Sequence, residues 1–189
     1  MASPNRDKSR IKGDTRAVVG CGRTVWTHFT RPANTTQYTA GDQVGDTATP
    51  TTVLTFASVV DRPGECVCIT GAVLVSSAYQ ASPPNFELWL FKTAPTTSND
   101  NAALTVTDAN LQGGNFIGRI RLGSDTSSAA TGLPTSGAGG NTIVEQDDAV
   151  VFPVELADGV TDIYGMLVDR GGYTPISGER FDIGLRVMN

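Results

Sequence analysis

The sequence predicts an all-β fold, a β-sandwich with a jelly roll as the first choice of topology, preceded by an extended N-terminal arm. Three observations lead there. First, charged residues make up 17% and hydrophobic residues 39%. The chain has apolar material for a core but fewer charges than the roughly 25% of an average domain. Gly, Thr, Ser, Asn and Val fill the gap, and these suit pleated strands and tight turns. Second, short runs of alternating apolar and polar residues recur, separated by Pro, Gly and Asx clusters. Third, long Glu/Lys/Ala/Leu-rich stretches of helical period are absent. A chain of 189 residues suits one compact domain with an appendage. The expected division is an arm over residues 1–35 and a sandwich over 36–189.

Residues 1–15 are polar and basic, with no apolar periodicity, and are expected to lack structure of their own. Val18-Val19 and then Thr24-Val25-Trp26-Thr27-His28-Phe29-Thr30 are β-rich but alternate imperfectly, which predicts a bulge or turn near Gly20 and Gly22. Arg31-Pro32-Ala33-Asn34 closes that segment as a turn. Strands follow over 37–40, 52–60, 66–79, 85–92, 116–122, 142–145, 150–156, 163–169 and 181–188. Alternation is clearest in Phe86-Glu87-Leu88-Trp89-Leu90-Phe91-Lys92 and in Phe181-Asp182-Ile183-Gly184-Leu185-Arg186-Val187. Both predict one apolar face and one wet face. Asp61-Arg62-Pro63-Gly64, Ser82-Pro83-Pro84-Asn85, Ala94-Pro95-Thr96-Thr97 and Asp169-Arg170-Gly171-Gly172 punctuate the strands as turns. Residues 99–111 alone suggest short helical turns, with Ser98 or Asp100 and Asp108 as candidate N-caps. Residues 124–141 read as a long Gly/Ser/Ala/Thr loop, the kind of insertion that carries function or motion.

Charge is unevenly spread. Residues 1–31 hold seven basic residues (Arg6, Lys8, Arg10, Lys12, Arg16, Arg23 and Arg31) against Asp7 and Asp14, a net of +5. The remainder carries a net of −10, from seven basic and seventeen acidic residues. A basic arm ahead of an acidic body suits docking on an acidic protein surface better than binding nucleic acid. The body repels phosphates, and no aromatic is interleaved among the first basic residues for base stacking. The expected contact residues are Arg6, Lys8, Arg10, Lys12, Arg16 and Arg23, with the neighbouring aromatics Trp26 and Phe29.

Catalytic chemistry finds little to work with. His28 is the single histidine, so any Ser-His-Asp or Cys-His arrangement would run through it. It lies in a strand-like segment, where an interface or structural role is the simpler reading. Gly137-Ala138-Gly139-Gly140 lacks phosphate-loop spacing, and Gly20-Cys21-Gly22 does not complete a dinucleotide fingerprint. Asp147-Asp148 are adjacent, which in a strand places them on opposite faces. The carboxylates and amides of Asp100, Asn101, Asp108 and Asn110 match no EF-hand loop, and helix capping explains them more simply. Cys21, Cys66 and Cys68 are odd in number; Cys66 and Cys68 share a strand face and read as small buried or half-buried apolar groups. No catalytic residue, metal or cofactor is expected. No apolar run approaches the roughly 20 residues of a membrane span. The first residues lack the apolar centre of a secretory signal.

Several phrases in order resemble a known family. They are "QYTAGDQVGD" from Gln37, "TVLTFASVVDRPGECVCITGAVLVSSAYQ" from Thr52, "NFELWLFKTAPTTSNDNAALTVTDANL" from Asn85, "FIGRIRL" from Phe116 and "DIYGMLVDRGGYTPISGERFDIGLRVMN" from Asp162. Together, over residues 37–189, they are similar to the capsid cement (decoration) proteins of tailed phages. The resemblance implies a jelly-roll-like sandwich, clustered as trimers and bound to the major capsid protein where capsomers meet on the outer surface of the virion. Synthesis would take place in the host cytoplasm. It brings no catalytic residues. The two other readings are a different virion part, such as a head-fibre, baseplate or tail-fibre receptor-binding domain, and a carbohydrate-binding module. The second is disfavoured by only 7% aromatic residues. Removal of residues 1–31 is expected to leave a folded body.

Overall fold

The chain is an all-β sandwich of two antiparallel sheets packed face to face. The computed structural model describes residues 22–79, 84–123, 130–133, 141–146 and 150–188. The strands are β1 (Arg23–Thr30), β2 (Gln43–Val44), β3 (Leu54–Phe56), β4 (Cys66–Ser76), β5 (Phe86–Phe91), β6 (Phe116–Leu122), β7 (Ala130–Leu133), β8 (Asn141–Glu145), β9 (Phe152–Glu155), β10 (Ile163–Asp169) and β11 (Arg180–Met188). Among the described residues there is one four-residue helix, α1 (Asp108–Leu111), between β5 and β6.

The first sheet runs β1-β11-β4-β8-β7, with β9 also on β4. Strands β8 and β9 share one side of β4, end to end: β8 pairs Val73 to Ser76 and β9 pairs Cys66 to Ile69. The second sheet runs β2-β10-β5-β6, and there β2 and β3 share one side of β10 in the same way. Each sheet therefore contains one position filled by an interrupted strand, with β7 added outside β8 in the first. At the gap between β8 and β9, the Gln146 side chain replaces the missing ladder partner. Its Oε1 accepts from Ala72 N–H at 2.8 Å, and its Nε2 donates to Thr70 C=O at 3.4 Å. Residue 71 is glycine because a Cβ there would fall 1.9 Å from that Oε1.

The core lies between the sheets. Alternation supplies it: Phe86, Leu88 and Leu90 from β5, Ile183 and Leu185 from β11, and Leu74 and Ile69 from β4 are all fully buried. Aromatic edges close one end, with Phe86 against Phe181 at 5.7 Å and against Tyr173 at 5.2 Å. Burying each such ring is worth about 2–3 kcal/mol.

Several expectations change. The boundary expected at residue 35 falls inside the sandwich, because Arg23 to Thr30 pair with β11 along the whole strand. Removing residues 1–31 would strip that strand and the buried Phe29, so a truncation that spares the body stops before Gly22. The bulge expected near Gly20 and Gly22 does not extend into β1, whose register with β11 is unbroken; Gly20 itself lies outside the described residues. Residues 37–40 form no strand, since Tyr38 turns inward to a buried polar cluster described below. Part of the loop expected over 124–141 is strand: β7 pairs with β8. Its Ala-Thr-Gly-Leu sequence carries no apolar alternation for a period-two pattern to detect. The wet face expected on β5 is not wet at Glu87, which is 2% exposed.

Candidate functional site

Strand β1 carries the described part of the expected contact surface. It is the outermost strand of the first sheet, bonded to β11 on one side. Its side chains alternate strictly: Thr24, Trp26, His28 and Thr30 point outward and are exposed, while Phe29 is buried.

Trp26 is the main outward feature. It is 52% exposed and lies across Gly184 of β11, its register partner. A Cβ at Gly184 would stand 3.0 Å from Trp26 Cη2 and 3.0 Å from Val73 Cγ1. Val73, the next residue along that row on β4, is 8% exposed although it faces outward. The far end of the indole thus closely approaches the backbone at Gly184, while about half of the side chain stays in contact with solvent. A flat aromatic plate of this kind offers a large contact area at little entropic cost.

The other predicted residues behave differently. Phe29 packs against Phe181 at 5.5 Å in the core and is removed from any contact surface. Arg23 turns back on its own chain: Nη1 pairs with Asp61 Oδ1 at 2.9 Å and Nη2 donates to Ser58 C=O at 2.7 Å. Both charges of that pair are largely solvated, so it contributes little stability, but it pins the start of β1. Arg6, Lys8, Arg10, Lys12 and Arg16 lie outside the described residues, as do Cys21, the Gly137–Gly140 stretch and Asp147-Asp148.

His28 lines a shallow groove of about 450 Å³ between β1 and β3, with Thr30, Asp46, Thr52 and Thr55. Burial pushes the Asp46 carboxyl up, but hydrogen bonds from Thr52 and Ala48 outweigh it and hold the group below its ordinary value. Asp46 is thereby committed to its own loop. Cys66 and Cys68 are free; both project from the outer face of β4, where Cys68 is half-buried, within the expectation of buried or half-buried thiols, and Cys66 is exposed, outside it.

Residues whose meeting no local sequence pattern indicates form buried polar clusters. Asp100, expected as a helix N-cap, instead accepts from Tyr38 Oη at 2.5 Å and Gly45 N–H at 2.9 Å through Oδ1, and pairs with Arg31 Nη2 at 3.3 Å through Oδ2. Arg31 also donates from Nε to Tyr38 Oη, and its guanidinium lies 4.7 Å over the Tyr38 ring. Burial and the Asp100 hydrogen bond raise the Tyr38 phenol far above its ordinary range. Glu179 accepts from Tyr173, whose single phenol hydrogen is shared between both carboxylate oxygens at 2.7 Å, from Ser76 Oγ and from Ile176 N–H. The N-cap of α1 is Thr107, without a side-chain bond, so Asp108 is inside the helix and not its cap. Among the described residues, no group of three or more His, Cys, Asp or Glu could hold a metal ion. No described helix is long and apolar enough to cross a membrane.

Comparison with protein-family models, with curated proteins and with solved structures returns no match to this chain.

Proposed function

We propose that this chain is a structural virion protein that binds the outer surface of a phage head, at capsomer junctions, and stabilises the shell. Its partners would be the major capsid protein and further copies of itself, as a trimer. The observation that carries the reading is the placing of Trp26: an exposed indole on an edge strand, entered directly from the basic segment, on a body of net charge −10. Such a strand presents an aromatic anchor next to a cationic tail, a combination suited to an acidic protein surface with an apolar spot.

Topology supports the same reading. With β2/β3 and β8/β9 each taken as one interrupted strand, and β7 set aside as an added strand beyond β8, the other eight fall four to a sheet, in the orders β1-β11-β4-β8/β9 and β2/β3-β10-β5-β6. Among these eight, every connection crosses between the sheets except β5 to β6; the added β7 is joined to β8 within the first sheet. We read this as a jelly roll, the double-sheet form common in capsid domains. The resemblance over residues 37–189 points to the same class.

The decisive test is the copy number of this chain per major capsid subunit in purified particles, by quantitative mass spectrometry. A simple fraction near one supports a role over the whole shell. A handful of copies per particle transfers the chain to the tail or a unique vertex, and absence refutes the virion reading. A chain lacking residues 1–21 should keep its fold and attach more weakly; undiminished attachment would remove the arm from the mechanism.

A further inference from the structure

Three of the nine arginines and lysines among the described residues converge on one carboxylate. Glu87 projects from the outer face of β5, in register with Arg121 of β6 and beside Arg119, two residues earlier on the same face. Arg170 reaches over from the end of β10. Arg170 Nη1 donates to Glu87 Oε1 at 2.6 Å, Arg119 Nη1 to Oε2 at 3.4 Å and Trp89 Nε1 to Oε2 at 3.1 Å, while Arg121 Nε stands 3.9 Å from Oε1. The Glu87 side chain is 3% exposed; those of Arg119, Arg121 and Arg170 are 53%, 41% and 33% exposed.

The stoichiometry is unequal. A carboxylate offers about four acceptor sites, whereas each guanidinium carries five N–H donors in a fixed fork. Glu87 accepts three hydrogen bonds, one each from Arg119, Arg170 and Trp89, while Arg121 stands near it only as an ion pair. The cluster keeps a surplus of two positive charges. The Arg23–Asp61, Arg31–Asp100 and Arg180–Asp182 pairs are each one to one. The surplus opens on a surface pocket of about 420 Å³ with apolar walls at Leu104, Val168 and Trp89. Asp169 also lines it, but its carboxylate is turned inward to Gly172 N–H and Tyr173 N–H and is 0% exposed.

We infer that this pocket receives the carboxylate of an aspartate or glutamate on an acidic segment of a partner protein. Arg119 and Arg170 supply the fork, Glu87 holds them in place, and Trp89 and Leu104 cover the incoming methylenes. A planar carboxylate suits a guanidinium edge bidentately. A nucleic acid suits the site poorly, because the cationic area is one spot and a polyphosphate backbone would run on over an acidic body. The inference goes beyond the virion reading, since it names a ligand chemistry for the sheet opposite β1 and holds whatever the partner is.

Trp89 provides the readout. In a Trp26→Phe background it is the sole tryptophan, because the chain has two. The protein is titrated with a hexaglutamate peptide and, separately, with a six-nucleotide oligothymidylate, at moderate salt. Saturable quenching or enhancement by hexaglutamate is expected, with a Kd below about 1 mM. Arg119→Gln, at a half-exposed position that the fold does not need, should weaken it about tenfold, a loss of one charge-assisted bond pair. Arg121→Gln provides a second variant with a smaller loss. Glu87→Gln should tighten it, because the site gains one unit of positive charge while an acceptor stays in place. No saturable response, equal binding by Arg119→Gln and Arg121→Gln, or weaker binding by Glu87→Gln would each overturn the proposal. Tighter binding of oligothymidylate than of hexaglutamate would reassign the site to nucleic acid.

Discussion

Asp100 and Glu87 are both carboxylates almost removed from water, and each faces arginine, yet their surroundings differ in kind. Around Asp100 there is one guanidinium, itself fully buried, one phenol and one backbone N–H, and every oxygen of the acid is used. Around Glu87 there are three guanidiniums, each a third or more exposed, and a pocket opens beside them. The first arrangement joins residues 31–45 to residue 100, and its one spare donor, Arg31 Nη1, is buried and does not reach solvent. The second has more donors than its acid can take. A buried acid is therefore not evidence of a site by itself; the count of donors against acceptors, and whether the surplus reaches solvent, separates a structural joint from a place where a ligand can bind.

The contrast can be broken or sharpened by substitution. The largest effect is expected at Arg31. Arg31→Met leaves the Asp100 charge buried without its ion partner, and breaking such a pair costs about 3–5 kcal/mol. That should lower Tm by roughly 10 °C in a chain of this size, read by calorimetry. A loss under about 1 kcal/mol would mean that Tyr38 and Gly45 suffice for Asp100. Adding Asp100→Asn to Arg31→Met should recover part of the loss, since the unpaired charge is then gone.

Glu87→Gln is expected to cost less, about 1 kcal/mol, because its arginine partners are solvated and screened. The cost should shrink further as salt is raised. A loss as large as at Arg31, measured by urea unfolding, would make Glu87 a joint of the first kind.

Asp169 provides a pH test. Burial is the main cause that raises its carboxyl above the ordinary value, against hydrogen bonds from Gly172, Tyr173 and Gly171 that lower it. A raised folded-state value means that the folded form holds the proton longer than the unfolded chain. The stability is then fully present below about pH 4, the unfolded value, and is lost as pH rises through the folded value. Asp169→Asn should remove that part of the slope, so the difference in unfolding midpoint between variant and parent should move in favour of the variant as pH rises from 4 to 7. A pH-independent difference would refute this assignment.

The smallest effect on folding is expected from Trp26→Ala, about 0.5 kcal/mol, because the side chain is half exposed. Its effect on attachment to particles should be far larger than on Tm. Equal attachment would leave the indole without a role at a contact.

The regular parts of this fold are legible in the sequence. Strands β6 and β10 lie where alternation and turn residues put them, and β5 and β11 differ by a residue at the ends. Alternation reports a local property, the side of a strand that faces the core. The clusters are not local. Arg31 and Tyr38 meet Asp100 across more than sixty residues, and Glu87 meets Arg170 across 83. No period in the chain encodes those meetings. Trp26 was legible as an aromatic beside a basic segment, whereas Phe29, three residues on, needed the register with Phe181 to be placed in the core.

The interrupted edges have a bearing on how the molecule survives at high local concentration. A long, straight, unpaired strand is a template on which a second copy can extend the sheet into a fibre. Here β2/β3 breaks such a template on one sheet and β7, β8 and β9 step it on the other, while β6 changes register against β5 near Leu90 and Phe91. Among the described residues, β1 alone remains an uninterrupted edge of eight residues. The tendency of the chain to aggregate, and its protection from doing so, is thereby concentrated in a single strand, the same one that carries the exposed tryptophan.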